Sequence, residues 1–136
     1  STQAVSVARR NAVRFGIDTV QFAVGDWYNA VGEAQFELIV SNPPYLRSGA
    51  PELQTGDVRH EPRVALASGA DGLDAIRRII AGAAPHLRPG GWLMLEHGDE
   101  QTLVIRRLLK GAGFTGMQTH QDLAGLDRVT VATLTR

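Results

Sequence analysis

Apolar residues recur at helical spacing from Thr2 to Phe15, at Val5, Ala8, Ala12 and Phe15, and Gly16 follows as a C-terminal stop. The pattern then changes period. Val20 to Val24 is a short β-prone run ending at Gly25-Asp26-Trp27, and Phe36 to Val40 is a nearly continuous apolar run ending at Ser41-Asn42-Pro43-Pro44. Both read as buried, parallel-type strands. Asp71 through Leu87 returns to helical spacing with Leu73, Ile76, Ile80, Ala83 and Leu87, and Pro89-Gly90-Gly91 turns into a strand from Trp92 to Glu96. A helix near Gln101 to Ala112 is closed by Gly113, and the strands Gly116 to His120 and Val129 to Leu134 flank a polar turn around Asp127. Strands alternating with helices predict an α/β fold.

Tyr45 to about Gly69 has no convincing periodicity, and a connection this long in a compact domain is usually functional or disordered. No internal repeat or low-complexity tract interrupts the chain. Its 136 residues are enough for one domain with a hydrophobic core. The 14 basic residues balance the 14 acidic ones, so no overall positive field gathers nucleic acid or a membrane surface. Without cysteine there is no disulfide framework, thiolate nucleophile or zinc-thiolate site, which fits a cytoplasmic protein. No apolar run approaches the ~20 residues needed to span a bilayer. The four histidines lack metal-ligand spacing, so no metal is expected; His97 beside Glu96 reads as a structural residue rather than a base. Asp71, Asp74, Asp99 and Glu100 lie near expected helix starts, where capping and dipole interactions account for them.

In an open α/β sheet ligands bind beyond the carboxyl ends of the strands, where Asp26-Trp27 and Asn42-Pro43-Pro44-Tyr45 both fall. The tandem prolines stop the strand and hold the next backbone extended, leaving the Pro43 carbonyl free to accept. Asn42 adds a second acceptor through its side-chain oxygen. Two acceptors converging on one NH2 group would orient that nitrogen and direct its developing lone pair at an electrophilic methyl group. Tyr45 supplies an aromatic face for a flat amide or base. Taken as four residues alone, the motif is equally a rigid strand-to-loop turn; its place between a buried strand and a long loop favours a site. Asp26-Trp27 reads on spacing as a capping carboxylate and a core tryptophan, with adenine binding the alternative.

Asn-Pro-Pro-Tyr after an apolar strand resembles the S-adenosylmethionine-dependent amino-methyltransferases. The surrounding residues resemble one branch of them, the release-factor glutamine methyltransferases or HemK family. The likeness includes Ala8-Arg9-Arg10-Asn11-Ala12, Asp26-Trp27, Ile39 to Tyr45, Gly56-Asp57-Val58-Arg59-His60-Glu61-Pro62 with Ala65-Leu66, Gly90-Gly91, Leu95-Glu96-His97-Gly98, and Asp127-Arg128-Val129-Thr130. The Arg59 to Leu66 stretch and Leu-Glu-His-Gly are the more discriminating pieces, since Asn-Pro-Pro-Tyr also occurs in adenine-modifying DNA enzymes and RNA guanine methyltransferases.

The resemblance implies methyl transfer from S-adenosylmethionine to the glutamine side-chain amide in the Gly-Gly-Gln tip of a class 1 peptide chain release factor. Asn42 and the Pro43 carbonyl would hold the amide, Pro44 and Tyr45 would shape its slot, and Glu61-Pro62 would line the substrate side. Asp26 and Trp27 would flank adenine, with Asn42 between cofactor and substrate. Arg59 and Arg63 read as solvated, with contact to the release-factor backbone as the alternative.

The resemblance also implies an upstream helical recognition domain, a Gly-rich cofactor loop and a second-strand acidic residue, none of which these residues contain. Gly90-Gly91 precedes a strand and is no substitute. The expectation is therefore that residues 1–136 form the C-terminal portion of a single methyltransferase catalytic domain. It would be a partial Rossmann-like class I fold lacking the first strands of a seven-stranded sheet. Its unpaired edges would self-associate, and the chain alone would bind cofactor weakly or not at all. A nucleic-acid amino-methyltransferase is the runner-up, which would want a basic face. A catalytically inactive binding module is the reading from a different class.

Overall fold

The structure is a computed structural model that describes residues 1–135. It divides into two compact units, Ser1–Ala34 and the chain from Gln35 onward.

The first unit opens with helix α1, Thr2–Arg14. Ser1 caps it by accepting from the Ala4 amide at 3.2 Å. At the other end Gly16 turns left-handed at φ +66°, so its amide reaches Val13 and that of Ile17 reaches the Ala12 carbonyl. This double return satisfies carbonyls the helix would otherwise leave open. The strand expected at Val20 to Val24 does not form. A strand exists through ladder bonds to a neighbour, and no described strand pairs with this segment. Its tie within the unit is instead Arg9, which donates to the Phe22 carbonyl at 2.9 Å and lays its guanidinium over the Phe22 ring. A 3₁₀ turn, Trp27–Ala30, follows.

The second unit is a four-stranded sheet with two helices. Strand β1, Phe36–Ser41, pairs in parallel with β2, Leu87–Glu96. Strands β3, Phe114–Gln121, and β4, Asp127–Leu134, complete the order β1-β2-β4-β3, with β4 antiparallel to both its neighbours. Both strands expected near the C-terminus therefore form, each slightly longer than the apolar pattern marks. Pro89-Gly90-Gly91, expected to turn into a strand, lies inside β2 as a bulge. Phe36 faces Leu87 and Leu38 faces Trp92, so β2 uses six residues where β1 uses three. Gly90 at φ +75° makes that excursion possible.

Between β1 and β2 lies helix α2, Asp74–Ala83, shorter than the expected Asp71–Leu87. Gly72 at φ +79° lies outside helical geometry, and Asp71 folds back to accept from the Leu73 amide. The cap comes from far away in sequence: Ser68 Oγ accepts from the Ala75 amide at 2.7 Å. At the other end the chain tightens into a 3₁₀ turn, Ala84–His86, containing Pro85. Helix α3, Thr102–Gly111, packs between β2 and β3 in sequence and ends as expected near Gly113. Ile76, Ile79, Ile80 and Ala83 of α2 and Ile105 and Leu109 of α3 are buried with Leu93 and Leu95 of β2, and with Phe114, Ala132 and Leu134. Each of these Ile, Leu and Phe side chains contributes about 1.5–3 kcal/mol by leaving water.

This topology decides where a site can be. Because β1 and β2 are parallel and β4 runs opposite, the carboxyl ends of β1 and β2 and the amino end of β4 share one edge of the sheet. That edge gathers Asn42-Pro43-Pro44-Tyr45, Glu96-His97-Gly98 and Asp127-Arg128-Val129-Thr130.

Candidate functional site

Strand β1 pairs as far as Ser41 with Leu95, and the tandem prolines then end the ladder. Asn42 is exposed, Pro43 is buried, and Pro44 and Tyr45 are half-buried. No described residue hydrogen-bonds to the Asn42 amide or donates to the Pro43 carbonyl. The exposed Asn42 side chain and the Pro43 carbonyl are therefore two adjacent acceptors available to a ligand's donors.

The turn is held from three sides. The Tyr45 hydroxyl donates to Glu96 Oε1 at 3.4 Å, joining the end of β1 to the end of β2. Burial pushes the Tyr45 phenol up from its ordinary value, the Glu96 carboxylate adds to that, and the Arg128 guanidinium opposes it. The Tyr45 carbonyl accepts from Gln101 Nε2 at 3.0 Å. Beyond the tyrosine, Leu46 donates to the Leu66 carbonyl and accepts from the Ser68 amide, both at 2.9 Å, and pairs with Ala67 as a lone parallel bridge.

These bonds close the base of the long loop expected to lack periodicity. Within it lie three 3₁₀ turns, Pro51–Gln54, Asp57–His60 and Arg63–Ala65, with Ala50 and Leu53 buried as anchors. Glu61 and Pro62 are exposed between the second and third turns and make no hydrogen bond to Asn42–Tyr45 among the described residues. Arg59 and Arg63 are exposed as well, and the Arg59 side chain donates to the ring of its neighbour His60.

His97 is structural, as its sequence context suggests. It is fully buried, with Nδ1 2.8 Å from the Gly98 carbonyl and Nε2 2.8 Å from Thr130 Oγ1. A carbonyl can only accept, so Nδ1 carries a proton; in the neutral ring Nε2 accepts from Thr130. The chain of bonds continues from Thr130 to Thr119 at 3.1 Å and from Thr119 to Arg106 at 3.4 Å. Arg128 reaches the His97 carbonyl and pairs with Asp122.

Asp26 and Trp27 lie in the first unit. Asp26 is exposed and begins the 3₁₀ turn without a side-chain capping bond, so the capping role weighed for it is not the one it takes. Trp27 is half-buried and adopts φ +53°, the left-handed region that a bulky residue rarely enters. Gly25 makes the turn possible, since a Cβ there would meet that of Ala30 at 2.6 Å. In the same unit burial pushes the Tyr28 hydroxyl up to about 12.

The sequence pattern missed Glu96, Gln101 and Ser68 as partners of the site. Glu96 carried a signal, the Leu-Glu-His-Gly segment. Gln101 and Ser68 carried none, because their bonds are made across 56 and 7 positions of the chain.

The methyltransferase small domain family matches residues 1–58. A curated release factor glutamine methyltransferase from Xylella fastidiosa is 53% identical over 131 residues, covering 96% of this chain and 48% of that protein. Its counterpart from Pseudomonas aeruginosa is 45% identical over 129 residues, covering 95% and 47% respectively. By sequence, the chain is a relative of the release factor glutamine methyltransferases. It spans about half the length of the curated relatives it matches. In three dimensions it resembles a methyltransferase from Pyrococcus furiosus at a TM-score of 0.72 and 20% identity, covering 100% of this chain and 60% of the other. TrmN from Thermus thermophilus is similar at a TM-score of 0.60 and 20% identity, covering 98% and 34%. The fold is thus an α/β one shared with methyltransferases and corresponds to part of theirs. The HemK resemblance of Asn42–Tyr45 and Leu95–Gly98 agrees with the release factor glutamine methyltransferase relatives.

Proposed function

We propose that this chain belongs to the catalytic part of an enzyme that methylates the side-chain amide nitrogen of glutamine in the Gly-Gly-Gln motif of a peptide chain release factor. The observation that supports it is the pair of open acceptors, Asn42 Oδ1 and the Pro43 carbonyl, on a proline-stiffened turn beside the anchored Tyr45. A primary amide offers two N–H donors in one plane, which matches two acceptors on one turn. Binding both protons concentrates electron density on the nitrogen and aims it, so orientation and electrostatics carry the rate. Pro44 and Tyr45 line the flat slot, and Glu61 and Pro62 extend the substrate side.

S-adenosylmethionine, when bound, supplies a methyl group on a positive sulfur. That methyl group would be supplied to the amide nitrogen, which Asn42 and the Pro43 carbonyl would hold aimed at it. Asp26 and Trp27 suit the adenine. The carboxylate is an exposed acceptor, and the strained Trp27 backbone fits a residue whose ring position is functionally constrained.

The test is transfer of labelled methyl groups to a purified release factor and to its Gly-Gly-Gln→Gly-Gly-Ala form, by the longest natural form of this protein and by its Asn42→Ala variant. Label is expected on the native release factor alone, with Asn42→Ala lowering the rate by about 10²–10³-fold. Label absent from the release factor but present on DNA or RNA would replace this reading with nucleic-acid amino methylation.

A further inference from the structure

Gln101 joins two loops that the parallel pairing of β1 and β2 only brings near each other. Its Nε2 donates to the Tyr45 carbonyl at 3.0 Å while its Oε1 accepts from the Gly98 amide at 3.0 Å. A carboxamide is the side chain that donates and accepts in one plane, so it can bridge a carbonyl and an amide at once. A carboxylate here would set an acceptor against the Tyr45 carbonyl. Gly72 leaves room beside that bond: a Cβ there would lie 2.2 Å from the Tyr45 oxygen and 3.0 Å from Gln101 Nε2.

The consequence is a turn fixed at both ends. Upstream, the Ser41–Leu95 pairing holds the end of β1. Downstream, Gln101 holds the backbone of Tyr45 while Glu96 holds its hydroxyl. Between these points Pro43 and Pro44 have almost no freedom in φ, so any movement of Tyr45 is passed to the Pro43 carbonyl and Asn42.

We propose that Gln101 is a positioning residue, holding the Asn42–Tyr45 turn in the arrangement that receives the substrate amide. It touches neither substrate nor reacting atoms. The role rests on the amide-methylation reading above, and the two can be separated experimentally.

The chain has two tyrosines, so in a Tyr28→Phe background the phenolate absorbance on alkaline titration reports Tyr45 alone. Gln101→Ala removes the bridge, and Gln101→Met removes both hydrogen bonds while keeping the volume. Both are expected to titrate Tyr45 at lower pH than the parent, as the loosened ring regains water. Both should also lower kcat for a Gly-Gly-Gln peptide roughly tenfold to a hundredfold with a smaller change in KM. A Tyr45 titration unchanged in Gln101→Met overturns the proposal, and so does a shifted titration with unchanged kcat. If the longest natural form of the protein, parent and variants alike, fails to methylate the peptide and the titration still shifts, the amide-methylation reading fails while the hold on Tyr45 stands.

Discussion

At Gly72 a single missing Cβ decides how close two parts of the chain can come. The residue is buried at φ +79°, and a side chain there would run into the Tyr45 carbonyl at 2.2 Å. Gly72→Ala therefore carries a left-handed backbone penalty of about 1–3 kcal/mol, and relief of the collision must move either the start of α2 or the Asn-Pro-Pro-Tyr turn. Urea denaturation should register that loss. A Tyr45 phenol that titrates lower in the same variant would locate the movement at the turn. An Ala variant as stable as the parent would mean that the 70–73 segment yields freely and that the close approach of Gly72 to the Tyr45 carbonyl is no constraint. Asn42 stands at the other extreme: exposed and without a side-chain hydrogen bond among the described residues, it contributes little to folding, and a substitution there should be felt only by a ligand.

Elements legible in the sequence are those whose signal is local. Phe36 to Val40 is nearly continuous and apolar, α1 carries its own cap and stop, and α3 shows helical spacing, so each forms close to where the pattern puts it. Val20 to Val24 has the same β-prone composition and forms no strand, because ladder bonds belong to a pair of segments rather than to one. The start of α2 misleads for a related reason. Asp71 looks like a cap, but the bond that caps the helix comes from Ser68, and Asp71 spends its carboxylate on Leu73 and Arg77. The candidate site divides in the same way: its acceptors were readable from Asn42-Pro43, whereas the side chains that hold them were not. The β3–β4 connection makes a further expectation at this scale. Asp122 Oδ1 accepts from the amides of Ala124 and Leu126, and its other oxygen pairs with Arg128. The Leu126 amide is the largest influence holding this carboxyl below its ordinary value, with the Ala124 amide and Arg128 aiding it against partial desolvation. A carboxyl held low in the fold stabilises above its unfolded value of about 3.9, and that contribution disappears as pH falls through the folded value. Asp122→Asn should accordingly be less stable than the parent at neutral pH, with the gap narrowing below about pH 4. Thermal unfolding across that range checks the sign; a gap that widens on acidification would contradict it.

Over the whole molecule, buried side chains are distributed unevenly between the two compact units. Ala12 is the one buried residue of the first unit among those described, where Val13 is 82% exposed and Phe15 70% exposed. An isolated helix of 13 residues is marginal in water, because nucleation costs more than its few internal bonds return. The second unit gathers its buried side chains in one core: the inner sides of α2 and α3, Leu93 and Leu95 of β2, and Ala132 and Leu134 of β4. Resistance to opening follows buried apolar contact, so hydrogen exchange should divide the chain. Amides of β2, β4 and α2 are expected to exchange slowest and by global opening. Those of α1 should exchange many times faster, with little dependence on substitutions in the second core. Ile76→Ala supplies the control, since a cavity at that fully buried position costs about 2–5 kcal/mol and should accelerate exchange across the sheet. If α1 slows or quickens in step with β2 on that change, the units open together, and the stability of the first depends on the core of the second. If α1 keeps its own rate, the segment bearing Asp26 and Trp27 unfolds independently of the sheet that carries Asn42.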